Sequence, residues 1–145
     1  MTQEFEVLLV EDSASDAEMS IRALKNANLA HRILHVKDGN EAMIFLFGQG
    51  KYEGRQTKDI PKLVLIDLKM PKVNGKECLM RIKADDRTRK IPVVVFSSSS
   101  EDSDINECYD LGANGYVVKP VHSEEFEKAM IGLGQYWLVD NEAPH

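Results

Sequence analysis

Cysteine is scarce in this sequence: Cys78 and Cys108 lie thirty residues apart, with no CxxC pair. Each sits in an apolar stretch, so both read as buried reduced thiols, and neither points to a structural metal or to redox chemistry. Long apolar runs are missing too. The longest spans six residues, Ala42 to Phe47, against the roughly 20 that a membrane-spanning helix needs. Glu4 and Glu6 spoil a signal peptide, so a cytoplasmic location is expected. A basic excess is likewise absent. Eighteen Lys and Arg face twenty-four Asp and Glu, and the resulting charge of −6 disfavours nucleic acid and anionic membranes as partners. His31, His35, His122 and His145 have no zinc-like spacing and are given no ligand role. Low-complexity tracts and repeats are not found either. What remains is an ordinary globular composition, 43% hydrophobic and 29% charged over 145 residues, which suits one domain with a true core.

Period and residue type mark five β-rich runs: Val7 to Val10, Arg32 to Val36, Leu63 to Ile66, Pro92 to Phe96 and Gly115 to Val118. Several are apolar on both faces, which suits a parallel sheet covered on both sides, and helical patterns fill every interval between them. The first helix is expected from Ser13, paired with Asp16 as in a capping box, with Ala17, Ile21 and Leu24 on one face. The second starts at Asp38, answered by Glu41, with Ala42, Phe45 and Leu46 inward. Cys78, Leu79 and Ile82 mark the third. The fourth begins near Ser100, carries Ile105, Cys108, Tyr109 and Leu111, and stops at Gly112. The fifth carries Phe126, Ala129, Met130, Leu133 and Trp137, although Gly132 and Gly134 weaken it. From Gly48 to Asp59 a twelve-residue charged, glycine-rich stretch reads as a surface loop. Residues 1–145 are thus expected to form a single domain with a short tail and no output domain.

Ligands of an open parallel sheet bind outside the carboxyl ends of its strands, where the loops diverge. Here those ends carry unusual residues. The first strand runs into Glu11 and Asp12, the third into Asp67, the fourth into Ser97 and the fifth into Lys119 and Pro120. One Asp after a strand is usually a helix cap or a solvated turn, but four coincident strand ends are harder to set aside. Three carboxylates sharing one crevice repel one another, and a hard divalent cation with one nearby ammonium is the simplest compensation. Magnesium and Lys119 fit those roles.

The motifs VLLVED ending at Asp12, LVLIDLKMPKVNG around Asp67, IPVVVFSSSS around Ser97 and GANGYVVKP ending at Pro120 together resemble the receiver domain of bacterial response regulators. The resemblance covers nearly the whole chain. The intervals from Asp67 to Ser97 and from Ser97 to Lys119 match the family pattern, and the long loop accounts for the wider gap between Asp12 and Asp67. It implies a CheY-like, flavodoxin-like (βα)5 fold, doubly wound, with strand order 2-1-3-4-5. The loop, the IPVVVFSSSSEDSDI segment and the QYWL tail further resemble the single-domain regulators paired with phytochrome-type histidine kinases.

By that resemblance, Asp67 is the phosphoacceptor for a sensor histidine kinase. Mg2+ is held by Asp12, Asp67 and the backbone carbonyl of Lys69, with Glu11 acting directly or through a water. Lys119 pairs with the phosphoryl group, and its bond to Pro120 is cis. Ser97 is the hydroxyl that senses the phosphoryl group, and Tyr116 the aromatic that reports it. Such a chain is a signalling phosphoacceptor that assists its own phosphorylation and dephosphorylation, not an enzyme in the usual sense. Family members commonly carry Asp where Glu11 stands. Ser98 to Ser100 read as a polar loop and helix cap, with no GxSxG elbow. Trp137 continues the inward stripe of the fifth helix. Tyr136, Leu138 and Val139 fall on other sides, so a homodimer through the fourth helix, fifth strand, fifth helix and tail is expected.

Three rival readings share parts of this pattern. A haloacid-dehalogenase-type phosphatase also uses an Asp nucleophile at a strand end, but it wants a second Asp two residues on, where this chain has Lys69. A flavin module of the same topology needs a Ser-, Thr- and Gly-rich phosphate loop, whereas Glu11 and Asp12 would repel that phosphate. A receiver serving only as a scaffold would not need the full set of Asp12, Asp67, Ser97 and Lys119.

Overall fold

The computed structural model describes residues 4–70 and 72–144. Pro71 of the motif around Asp67 and His145 lie outside them. Five strands, β1 (Val7–Val10), β2 (Ile33–Val36), β3 (Leu63–Ile66), β4 (Val93–Ser97) and β5 (Gly115–Val118), form one parallel sheet in the order β2-β1-β3-β4-β5. The helices between and after them are α1 (Ala14–Asn26), α2 (Gly39–Leu46), α3 (Gly75–Ala84), α4 (Asp102–Asp110) and α5 (Ser123–Gly134). This is the doubly wound fold expected from the sequence.

β1, β3 and β4 are buried along their whole length, whereas the edge strands β2 and β5 are only partly covered. Alternation of side chains along each strand divides the core in two. Leu8, Val10, Val64, Ile66, Val93 and Val95 pack under α2 and α3, with Cys108 of α4. Val7, Leu9, Leu63, Leu65, Val94 and Phe96 pack on the other face, under α1 and α5.

The starts of three helices follow local chemistry. Ser13, Asp38 and Asn74 each accept a hydrogen bond from the backbone N–H three residues on, which satisfies one orphan donor of the first turn. The expected Ser13–Asp16 capping box is only half formed, because the Ser13 N–H donates to Glu11 Oε2 and not to Asp16. Helix α4 starts near Ser100, as expected, but no serine caps it. Its N-cap is Glu101, whose side chain makes no capping bond, while Ser99 Oγ accepts from Glu101 N and donates to Asp104. Gly112 stops that helix with φ +105°, a conformation strained for any residue with a Cβ.

Two further expectations need correction. The Gly48–Asp59 stretch is not merely a surface loop. It holds a short 3-10 turn (Gly50–Tyr52), and Arg55 lies 4.0 Å above the Phe45 ring while donating to the carbonyls of Phe45 and Asp59. The tail also differs, since α5 continues into a π-helical segment, Gln135–Asp140. The wider turn shifts the register of its side chains. Leu138 is therefore buried instead of joining an exposed patch, and its carbonyl accepts from Lys62 Nζ at 2.6 Å.

Candidate functional site

The carboxyl ends of β1, β3, β4 and β5 lie side by side, and the backbone ladder runs one residue past the strands. Asp67 N–H donates to the Val10 carbonyl (3.0 Å), Glu11 N–H to Val36 (3.0 Å) and Lys119 N–H to Ser97 (2.7 Å). Register therefore fixes which side chains share the crevice. The next loop closes on Asp67 as well. A Cβ at Gly75, the first residue of α3, would lie 2.3 Å from the Asp67 carbonyl oxygen, so only glycine fits there.

Glu11, Asp12 and Asp67 come together as expected, with one carboxylate oxygen of each within 4.8 Å of the others. Glu11 and Asp67 are buried and Asp12 is exposed, which leaves the crevice open on one side. Asp67 Oδ1 accepts from the Leu68 N–H at 2.8 Å. Lys119 Nζ stands 2.6 Å from Glu11 Oε1, 2.9 Å from Asp16 Oδ2 and 3.7 Å from Asp67 Oδ2. The expected cis bond after Lys119 is not present. Lys119–Pro120 is trans, the isomer that X-Pro bonds favour by about 0.5–1 kcal/mol, and the ammonium reaches its carboxylates from that arrangement.

The electrostatics are those of an under-compensated acidic site. Burial, helped by the negative charge of Asp67, pushes the Glu11 carboxyl up to about 7, against the opposing hydrogen bond and charge of Lys119 and the Ser13 N–H. Burial also works against the Lys119 charge, but hydrogen bonds to Glu11 and Asp16 and the field of Asp67 outweigh it and raise that pKa. One ammonium thus serves three carboxylates, Glu11, Asp16 and Asp67, and Asp12 stands beside them without it. The donor set is entirely oxygen and anionic, which fits a hard divalent cation.

Ser97 is buried at the end of β4, and its Oγ accepts from the Ser99 N–H at 3.2 Å. Tyr116 is half-buried, with its hydroxyl donating to the Ser99 carbonyl at 2.8 Å. Both expected switch residues therefore bear on Ser99. Lys76 of α3 braces the same region, donating to Asp104 (2.7 Å) and Glu107 (2.8 Å) of α4. Sequence reasoning assigned no part to Lys76. It also missed His35, whose Nε2 bonds to the Glu11 carbonyl oxygen at 2.7 Å. Asp16 was read only as a capping partner.

The family model for the response regulator receiver domain matches residues 7–131. The chain belongs to this family. As a receiver it is a two-component phosphoacceptor. It is 36% identical over 132 residues to the response regulator Rcp1 of Synechocystis sp., covering 91% of this chain and 88% of that protein. A probable methanogenesis regulatory protein, FilR2 of Methanothrix harundinacea, is 36% identical over 140 residues, covering 97% and 88%. Among solved structures, the phosphorylated cyanobacterial phytochrome response regulator RcpA superposes with a TM-score of 0.90 at 35% identity, over 98% of this chain and 99% of that one. The Mn2+-bound form of Rcp1 gives 0.88 at 35%, over 96% and 98%. The receiver's homologues thus include regulators associated with phytochromes, and its phosphodonor is a histidine kinase. Among the described residues no helix is long and apolar enough to cross a membrane.

Proposed function

We propose that this receiver takes a phosphoryl group onto Asp67 from the phosphohistidine of a phytochrome-type sensor kinase in the cytoplasm. The observation that carries this reading is the meeting of Glu11, Asp12, Asp67 and Lys119 at the strand ends. An Asp67 carboxylate oxygen attacks phosphorus in line; the P–O bond forms, the P–N bond breaks, and the electron pair leaves with the imidazole, which takes up a proton. Two anions must approach for this, so positioning and charge neutralisation are the main requirements. Lys119 supplies a positive charge beside Asp67. Asp12, Asp67, the backbone carbonyl of Lys69 and Glu11, directly or through a water, are the residues that would hold Mg2+. When bound, that ion supplies positive charge to phosphoryl oxygens.

Ser97 then offers its hydroxyl to a phosphoryl oxygen and gives up the Ser99 N–H. Tyr116, held on the Ser99 carbonyl, changes its contacts with that loop, and the balance between two pre-existing conformations of the α4–β5–α5 face shifts. The same face favours self-association: Tyr109, Val118, Val121, Tyr136 and Val139 are all exposed apolar side chains on it or on the adjoining tail. Leu138, being buried, takes no part.

Intact-mass measurement after incubation with acetyl phosphate and magnesium tests the reading. Wild type should gain one phosphoryl group and Asp67→Asn none. A wild type that gains nothing, or an Asp67→Asn variant that still gains the group, would sink it.

A further inference from the structure

Lys119 is held in its present place by two carboxylates, and neither belongs to the phosphoacceptor. Its Nζ donates to Glu11 Oε1 and Asp16 Oδ2, while Asp67 Oδ2 at 3.7 Å lies beyond hydrogen-bond reach. The Lys119 side chain as a whole is 9% exposed. An ammonium has three donors, and two are already committed. A phosphoryl group arriving on Asp67 brings several anionic oxygens into this space and must draw the ammonium towards them.

The two holding carboxylates are not equally able to let go. The Glu11 side chain is only 4% exposed, so it cannot rehydrate as an anion if Lys119 leaves and must either stay unsolvated or take up a proton. The Asp16 side chain is 28% exposed, lies on the first turn of α1, and can rehydrate when the ammonium leaves. We propose that Asp16 is a positioning residue: a displaceable counter-ion that holds Lys119 away from Asp67 in the unphosphorylated protein and competes with the phosphoryl group for it. Phosphorylation exchanges the Lys119–Asp16 ion pair for a Lys119–phosphoryl pair, and Asp16 sets how unfavourable that exchange is. The inference rests on the phosphoacceptor reading above and adds a residue whose charge opposes the modified state.

Beryllium trifluoride, a phosphoryl mimic, tests it at saturating magnesium. Calorimetric titration of wild type, Asp16→Asn and Asp16→Glu should show the Asn variant binding roughly two- to fivefold more tightly, the scale of one partly exposed ion pair. The Glu variant, which keeps the charge, should stay near wild type. A purely structural role for Asp16 would weaken binding or leave it unchanged. Carbon-13 NMR of the lysine ε-methylene provides the second readout. In free Asp16→Asn the Lys119 signal should already be displaced from its wild-type position towards the mimic-bound one. If Asp16→Asn binds no more tightly, or if its Lys119 signal stays at the wild-type position, the inference fails while the phosphoacceptor reading stands. A wild type that never binds the mimic overturns both.

Discussion

The Glu11 carboxylate accepts from both Lys119 Nζ and the Ser13 N–H. Its burial has a consequence for pH. The carboxyl is pushed up to about 7 from an ordinary value of 4.5, so between those values the metal-free folded protein holds a proton that the unfolded chain has released. The associated stability is fully present below pH 4.5 and is lost as pH rises through 7. Urea midpoints of metal-free protein should therefore fall from pH 5 to pH 8, and Glu11→Gln should flatten that slope; an equal slope in both proteins would exclude Glu11 as its source. At this scale the acidic set was readable because each member directly follows an apolar strand. The second role of Asp16 was not. Its backbone N–H donates to the Ser13 cap, as the local pattern suggests, while its carboxylate pairs with Lys119, 103 positions away. Only the assembled sheet makes that pairing possible.

Elements were legible in proportion to how local their causes are. β1, β3 and β5 have the bounds expected from the sequence, because runs apolar on both faces flanked by polar residues admit few alternatives. Helix α4 starts near Ser100 as expected, but the run of serines that resembles a cap does not supply one, since Ser99 is occupied by Asp104 and Glu101. The π-helical end of α5 leaves no sequence signal, since its register depends on where Leu138 and Trp137 find room. The two glycines of α5, indistinguishable by propensity, differ in surroundings. A Cβ at Gly132 meets nothing within 4 Å, while one at Gly134 would lie 2.6 Å from Leu24 Cδ2 and 3.0 Å from Leu29 Cδ1. Gly132→Ala should stabilise the protein by about 0.5–1 kcal/mol. Gly134→Ala should destabilise it, because overpacking costs about 1–3 kcal/mol and exceeds the helix gain. Urea denaturation with unchanged m-values would show the opposite signs, and a shared sign would refute the α1–α5 packing argument.

For the molecule as a whole, the parallel sheet with helices between its strands followed from the patterning and the strand order from the family resemblance, but the surface did not follow as directly. Tyr136 and Val139 remain exposed as the helical periodicity suggested, and Leu138 does not. If the tail and the α4–β5–α5 face mediate self-association, light scattering should find a dimer for wild type and for Tyr109→Phe. Val121→Asp combined with Tyr136→Glu should yield monomer with an unchanged melting curve. Wild type that stays monomeric with and without beryllium trifluoride would remove self-association from the account.

The division of the core by the sheet bears on how this receiver can diverge. Neighbouring residues of a single strand, such as Val64 and Leu65, belong to separate apolar layers, one covered by α2, α3 and α4 and the other by α1 and α5. Drift in one layer can be absorbed by α1 and α5 alone, and drift in the other by α2, α3 and α4. The reactive rim, mounted on the strand tips where the two layers meet, can thus keep its geometry while either flank is remodelled for a new partner.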